Sequence, residues 1–357
     1  MADIAVILIV AGCAALAFSK GTVIRTAALL IIALVSAMAA LGHFEALAHL
    51  ITGYLSIGAW AHVICFAVLF VVLFVLLLLA TMHVVSKDVV LGTLPEQIAR
   101  PIFGALLGYV IAGVVLTAII IAPVSANYPY QRFQSRPNFA AKPTKVMLNP
   151  DGFVTGLFGI ASNGSFAAIT NPRSFTALRP DFLDQIYLNR LAASDGVPVL
   201  TLSEAIETPD ANSVWFAPEN MLRDDGEKFP TKAGYRTIFA RFSIKKTSIK
   251  DAGTFTLSQI RLICLPRQDA KTPYSGRGIT LYPAGFLLKK NTVKLTTLNH
   301  KIVIKGSDVK GFSKKIDFVF YLPDGFVPVL AEFKLNNIVR VSAPVEPDKA
   351  PKPVPFM

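Results

Sequence analysis

AHVICFAVLFVVLFVLLLLATM, residues 61–82, decides the fold: it holds no Asp, Glu, Lys or Arg and is apolar around the whole circumference of any helix it forms. A hydrocarbon core about 30 Å thick is crossed by roughly 17 to 25 apolar helical residues. A helix in a water-soluble core seldom stays apolar on every side. Three further runs accompany it, at 4–18, 23–41 and 102–124. Bare polar backbone is not tolerated in hydrocarbon, so each run should close its own hydrogen bonds as a helix. Residues 1–126 carry four basic side chains (Lys20, Arg25, Lys87, Arg100) and four acidic ones (Asp3, Glu45, Asp88, Glu96), which leaves the whole formal excess of +12 to the rest of the chain. The expected architecture is an α-helical four-span transmembrane bundle over 1–126, with the lipid bilayer as its first partner, followed by a basic extramembrane part.

The first run lacks the basic flank of a secretory signal, because only Met1, Ala2 and Asp3 precede it. Val10-Ala11-Gly12-Cys13 has the form of a lipoprotein cleavage box, but the apolar run continues through Phe18, so Cys13 reads as a small thiol in a span. Gly104, Gly108 and Ala112 recur every four residues and should give the fourth span a flat face for helix packing, as small residues do where lipid supplies no hydrophobic drive. No charged residue lies deep in a span, which argues against a proton or ion pathway. Residues 42–58 are expected to lie in the interface as an amphipathic turn of helix, with Tyr54 and Trp60 at the aromatic belt.

The stretch Ser19-Lys20-Gly21-Thr22-Val23-Ile24-Arg25 resembles the basic turn of the colicin V production protein (CvpA) family. Phe103-Gly104-Ala105-Leu106-Leu107-Gly108 is similar to the glycine-spaced start of that family's last span. The resemblance covers about a third of the chain. Thr26 and Leu107 depart from it, standing where family members often carry an acidic and a basic residue. It implies a bacterial inner-membrane protein linked to toxin production or export and to envelope maintenance, with no catalytic signature and no cofactor. Expected partners are envelope proteins, or further copies of the chain meeting through the spans. Lys20 with Arg25, and Lys87 with Arg100, place both hairpin loops in the cytoplasm by the positive-inside rule, hence the N-terminus and the C-terminal region outside it. The family supports this, since similar four-helix units occur fused to periplasmic proteases.

Residues 127–145 read as an extended linker, within a 127–228 segment of linker and helices. Residues 151–166 form a glycine-rich helix whose apolar partner, bilayer surface or domain core, the sequence leaves open. A second helix is expected at 180–193, with Pro180 in its first turn and Phe182, Leu183, Ile186 and Leu191 on one side. From Tyr235 the apolar period becomes two, at Ile238, Ala240, Phe242 and Ile244 and again at Ile316, Phe318, Phe320 and Leu322, which marks half-buried antiparallel strands. Turn chemistry separates them at Asp251-Ala252-Gly253, Pro323-Asp324-Gly325 and Asn336-Asn337. Seven to nine such strands over 229–342 give a mainly-β domain, a sandwich for which an immunoglobulin-like arrangement is one form. Residues 343–357, rich in proline, are expected to be a disordered tail.

Chemistry is sparse. His300 is the one histidine after the spans and reads as a surface residue; Cys264 reads as core packing. Ser162-Asn163-Gly164-Ser165 lacks the pattern of a nucleophile elbow, and no metal-spaced cluster stands out. A tethered hydrolase and a solute transporter are the alternatives to an interaction role. Lys289, Lys290, Lys294, Lys301, Lys305, Lys310, Lys314 and Lys315 make the β domain basic, fit for anionic lipid or an envelope polymer rather than nucleic acid.

Overall fold

The computed structural model describes residues 1–52, 60–84, 92–162, 174–201, 204–272 and 274–356. They form two compact units, Met1–Arg132 with Thr144–Ala168, and Phe133–Pro143 with Ile169–Met357.

The first unit is helical. Four helices are long and apolar enough to cross a membrane: α1 (Ala2–Lys20), α2 (Val23–Thr52), α3 (Ala61–Val84) and α4 (Thr93–Ile121). Helix α1 packs on α4, while α2 packs on both α3 and α4. The interfacial turn expected at 42–58 is, through Thr52, a continuation of α2; residues 53–59, with Tyr54, lie outside the described set. A fifth helix, α5 (Pro150–Ser162), settles the partner that the sequence left open: it packs on α4 and α2, with Val154 and Phe158 turned inward. Its start is shaped by two consecutive residues in the left-handed region, Leu148 at φ 63° and Asn149 at φ 49°.

The second unit opens with two short helices, α6 (Phe175–Leu178) and α7 (Phe182–Ser194). Pro180 precedes α7 instead of lying in its first turn. The buried side of α7 includes Phe182, Gln185, Leu188 and Asn189, so it is more polar than the side expected. The strands follow: β1 (Val214–Phe216), β2 (Leu222–Arg223), β3 (Tyr235–Lys245), then, after a one-turn helix α8 (Ile249–Ala252), β4 (Thr254–Thr256), β5 (Ile260–Pro266), β6 (Ile279–Leu281), β7 (Gly285–Lys289), β8 (Thr292–Leu295), β9 (Lys301–Val303), β10 (Ser313–Pro323), β11 (Phe326–Phe333) and β12 (Asn337–Arg340). They build a six-stranded sheet in the order β1-β3-β10-β7-β8-β2, a four-stranded sheet β12-β11-β5-β6 and a small pair β4-β9. Its backbone is the antiparallel pairing of β3 with β10 over eleven positions, from Tyr235 opposite Pro323 to Lys245 opposite Ser313. The strand order, with β2 parallel to β8, differs from the immunoglobulin arrangement.

The alternation read from sequence gives one face of each large sheet. Ile238, Ala240, Phe242 and Ile244 meet Ile260, Leu262, Cys264, Ala331 and Phe333 in a single core, so the sheets are sandwiched. The opposite face of the six-stranded sheet is apolar too, with Trp215, Phe239, Leu287, Val293, Val319 and Tyr321. Two segments with little regular structure lie on it. Within the expected linker, Phe139 stacks on Tyr321 at 4.9 Å and the Leu298 N–H donates to the Pro137 carbonyl at 2.7 Å. The tail expected to be disordered is laid down residue by residue. Val345 exchanges backbone bonds with Val214 and Phe216, the Val354 N–H donates to Asp317, and Phe356 donates to the Leu287 carbonyl while its ring meets Phe286 edge-on. Proline in 343–357 excludes these residues from a sheet ladder without preventing single bonds to one.

Candidate functional site

On α4, the Gly104 and Gly108 faces lie against α1. A Cβ at Gly104 would sit 2.8 Å from the Cys13 carbonyl oxygen, and one at Gly108 would sit 2.8 Å from the Cα of Val10. Only glycine admits approaches of this kind between backbones. Ala112, fully buried, continues the seam among Ala2, Val6, Leu116 and Val146. Gly113, on a neighbouring face, takes the Pro150 carbonyl, a contact that the every-fourth-residue pattern does not contain.

The basic residues read as topology markers fare differently from one another. Lys20 and Arg25 are exposed, whereas Lys87 lies outside the described residues. Arg100 is half-buried and paired at 2.5 Å with Glu96, itself only 2% exposed. The same carboxylate accepts the Val23 N–H at 3.1 Å, so one glutamate of α4 caps the first turn of α2, where a helix terminus favours negative charge.

A second buried carboxylate opens α5. Asp151, fully buried, accepts the Tyr130 hydroxyl at 2.6 Å on Oδ2, and Arg132 donates to that hydroxyl at 2.8 Å. The Tyr109 hydroxyl donates to the Leu148 carbonyl at 2.7 Å, and the Met147 N–H donates to Asp3 at 2.6 Å.

In the β unit a polar cluster joins α7 and the residues before it to the four-stranded sheet. Glu332, fully buried, accepts from Arg261, from Arg179 at 2.6 Å and from Gln185 at 3.0 Å. Asp181 accepts from Arg261 at 3.1 Å and from Thr280 and Tyr282 at 2.6 Å each. Burial and the adjacent Asp181 push the Tyr282 phenol well above its usual range. Two carboxylates face two guanidiniums with every partner engaged, which is an arrangement for holding elements together and leaves no group poised for proton transfer. Sequence reading missed it because the partners are separated by 71 to 153 positions.

The remaining candidates are quiet. His300 is half-buried, not at the surface, and stacks on Phe286 at 6.0 Å; burial, then Lys294, lower its pKa. Cys264 is fully buried and burial raises its thiol pKa. The turn expected at Asn336-Asn337 runs instead through Lys334, at φ 55°, so Asn337 begins β12. Lys334 is 1% exposed, donates to the Asp251 carbonyl at 2.6 Å and is pulled down to about 8 by burial against a small opposing effect of Asp251. Ser162 donates to its own helix at Gly159, and residues 163–165 lie outside the described set. At one end of the β3–β10 pair, Phe312 stands 92% exposed beside Lys246, Lys310, Lys314 and Lys315.

The sequence of the helical unit has a counterpart among known families. Residues 2–140 match the family described as Colicin V production protein. The colicin V production match takes in all four membrane-length helices and stops before α5, so α5 and most of the β unit fall beyond it. Neither curated proteins nor solved structures give a match to this chain.

Proposed function

We propose that this chain is a non-enzymatic protein of the bacterial inner membrane that takes part in the production or export of a colicin V-type toxin and in envelope upkeep, its β unit serving as an extracytoplasmic interaction module. The observation that carries the reading is the colicin V production match over residues 2–140, on four helices of membrane length. The outside position of the β unit rests on Lys20 at the end of α1 and Arg25 in the first turn of α2, both exposed. The exposed Phe312 among lysines supports contact with anionic lipid or an envelope polymer, since each exposed lysine near an anionic surface contributes roughly 1 kcal/mol.

Three measurements test it. A reporter fused after Phe356 should behave as extracytoplasmic and one inserted between Lys87 and Leu94 as cytoplasmic; the reverse at both sites inverts the proposal. Toxin-producing cells that lack the chain should release less toxin and recover on its return, and unchanged release would remove the toxin role. Covalent capture by a broad serine-hydrolase probe would move the β unit to the hydrolase reading.

A further inference from the structure

Helix α5 is not among the four helices long enough to cross a membrane, yet its contacts set its depth. Lys20, Val23 and Arg100 mark one end of the bundle: Gly21 and Thr22 alone separate α1 from α2, and Glu96 joins the Val23 N–H to Arg100. From that end, three helices serve as rulers at about 1.5 Å per residue. On α1, Asp3, which holds the Met147 N–H, lies seventeen positions from Lys20, roughly 26 Å. On α4, Gly113, against the Pro150 carbonyl, lies thirteen positions from Arg100, roughly 20 Å. On α2, Gly42, against the Phe158 ring, lies nineteen positions from Val23, roughly 29 Å. Helix tilt only shortens these depths, and hydrocarbon is about 30 Å thick.

Three backbone groups leading into α5 find protein partners, as non-helical backbone inside a membrane must. Met147 donates to a span carboxylate, Leu148 accepts from a span hydroxyl, and the Asn149 N–H reaches Val146. The one charged residue of α5, Asp151, is turned fully inward. The outward face is apolar: Phe153 at 42% exposed, Gly156 with open space beside it, and Ile160 at 74%, continued by Met147 and Leu148. We infer that α5 is a fifth, non-crossing helix embedded in the leaflet opposite the Lys20–Arg25 turn, and that Phe153, Gly156 and Ile160 form a contact surface for lipid acyl chains.

The test uses the full chain in zwitterionic vesicles, with Cys13→Ala so that the two remaining, buried cysteines take up no label, as the parent chain must show. Spin labels are placed at Phe153→Cys or Ile160→Cys, with Val72→Cys on the outer side of α3 as lipid reference and Ser307→Cys as aqueous reference. Collision with oxygen relative to a charged nickel chelate should be like that at 72 and roughly tenfold above that at 307, because the chelate is excluded from hydrocarbon. A ratio like that at 307 would put α5 in water and overturn the inference. Protection from both reagents would mean that protein, such as a second copy of the chain, covers the face, and would overturn it equally.

Discussion

The two units differ in the balance of what they bury. In the helical unit many hidden positions are small, with Ala33, Ala37, Ala40, Ala48, Ala61 and Ala112 at 0–1% exposed beside a few large ones such as Phe66 and Ile120, while Ile4, Leu8, Val71, Leu76 and Leu79 stand outward. In the β unit the hidden positions are Phe242, Phe255, Phe318, Phe320 and Phe333. The difference follows from what surrounds each unit. Water drives large apolar side chains together in proportion to area, but lipid offers them no such gain, so helices associate by bringing backbones close and leave their leucines to the solvent.

The largest expected effect breaks the backbone approach. Leu at Gly108 has to displace the α1 backbone 2.8 Å away and should abolish accumulation of the folded chain in membranes, whereas Ile111→Leu should accumulate normally; equal accumulation would show that the seam between α1 and α4 carries no stability. Next comes the aromatic core. Phe318→Ala should destabilise the β unit by about 4 kcal/mol in chemical unfolding of the detergent-solubilised chain, against no measurable change for Leu76→Ala on the outer side of α3. A comparable loss at both positions would erase the contrast between the units.

Charge sharpens the comparison further. Arg261→Met leaves Glu332 buried with less compensation and should cost about 3 kcal/mol in the same unfolding assay. The smallest effect is a pH dependence. With its folded pKa near 8 and an ordinary value of 10.5, Lys334 binds a proton more readily in the unfolded chain between these limits, so stability should rise with pH across that window. A gain of roughly 2 kcal/mol between pH 7.5 and 9.5 is expected, and Lys334→Met should remove it. A flat profile in the unaltered chain would mean that the ammonium is hydrated.

The spans were legible because composition alone identifies them, and the long strands because their inward residues alternate. What escaped the sequence did so for definite reasons. Arg100 counts as a free positive charge until Glu96, one helical turn before it, is seen to hold it, a spacing that sequence does display. The second apolar face of the six-stranded sheet hides in the positions that alternation assigns to solvent, namely Phe239, Val319 and Tyr321. Those residues needed a cover, and the chain supplies it from the segment read as an extended linker, with Phe139, and from the tail read as disordered, with Val345 and Ala350. The Arg179–Glu332–Arg261 cluster draws on residues far apart in the chain, so no local pattern could reveal it.

The laid-down C-terminal segment also has a mechanical meaning. Its attachments are strung out in single file, Phe356 on Leu287, Val354 on Asp317, Lys352 on Arg241 and Val345 on Val214, so a pull on that end loads them one after another. The eleven-position ladder of β3 and β10 shares any load along its length. Under tension from the C-terminus, the segment should peel away as a zip while the sandwich beneath stays shut, baring Trp215 and Phe286 before any strand is lost.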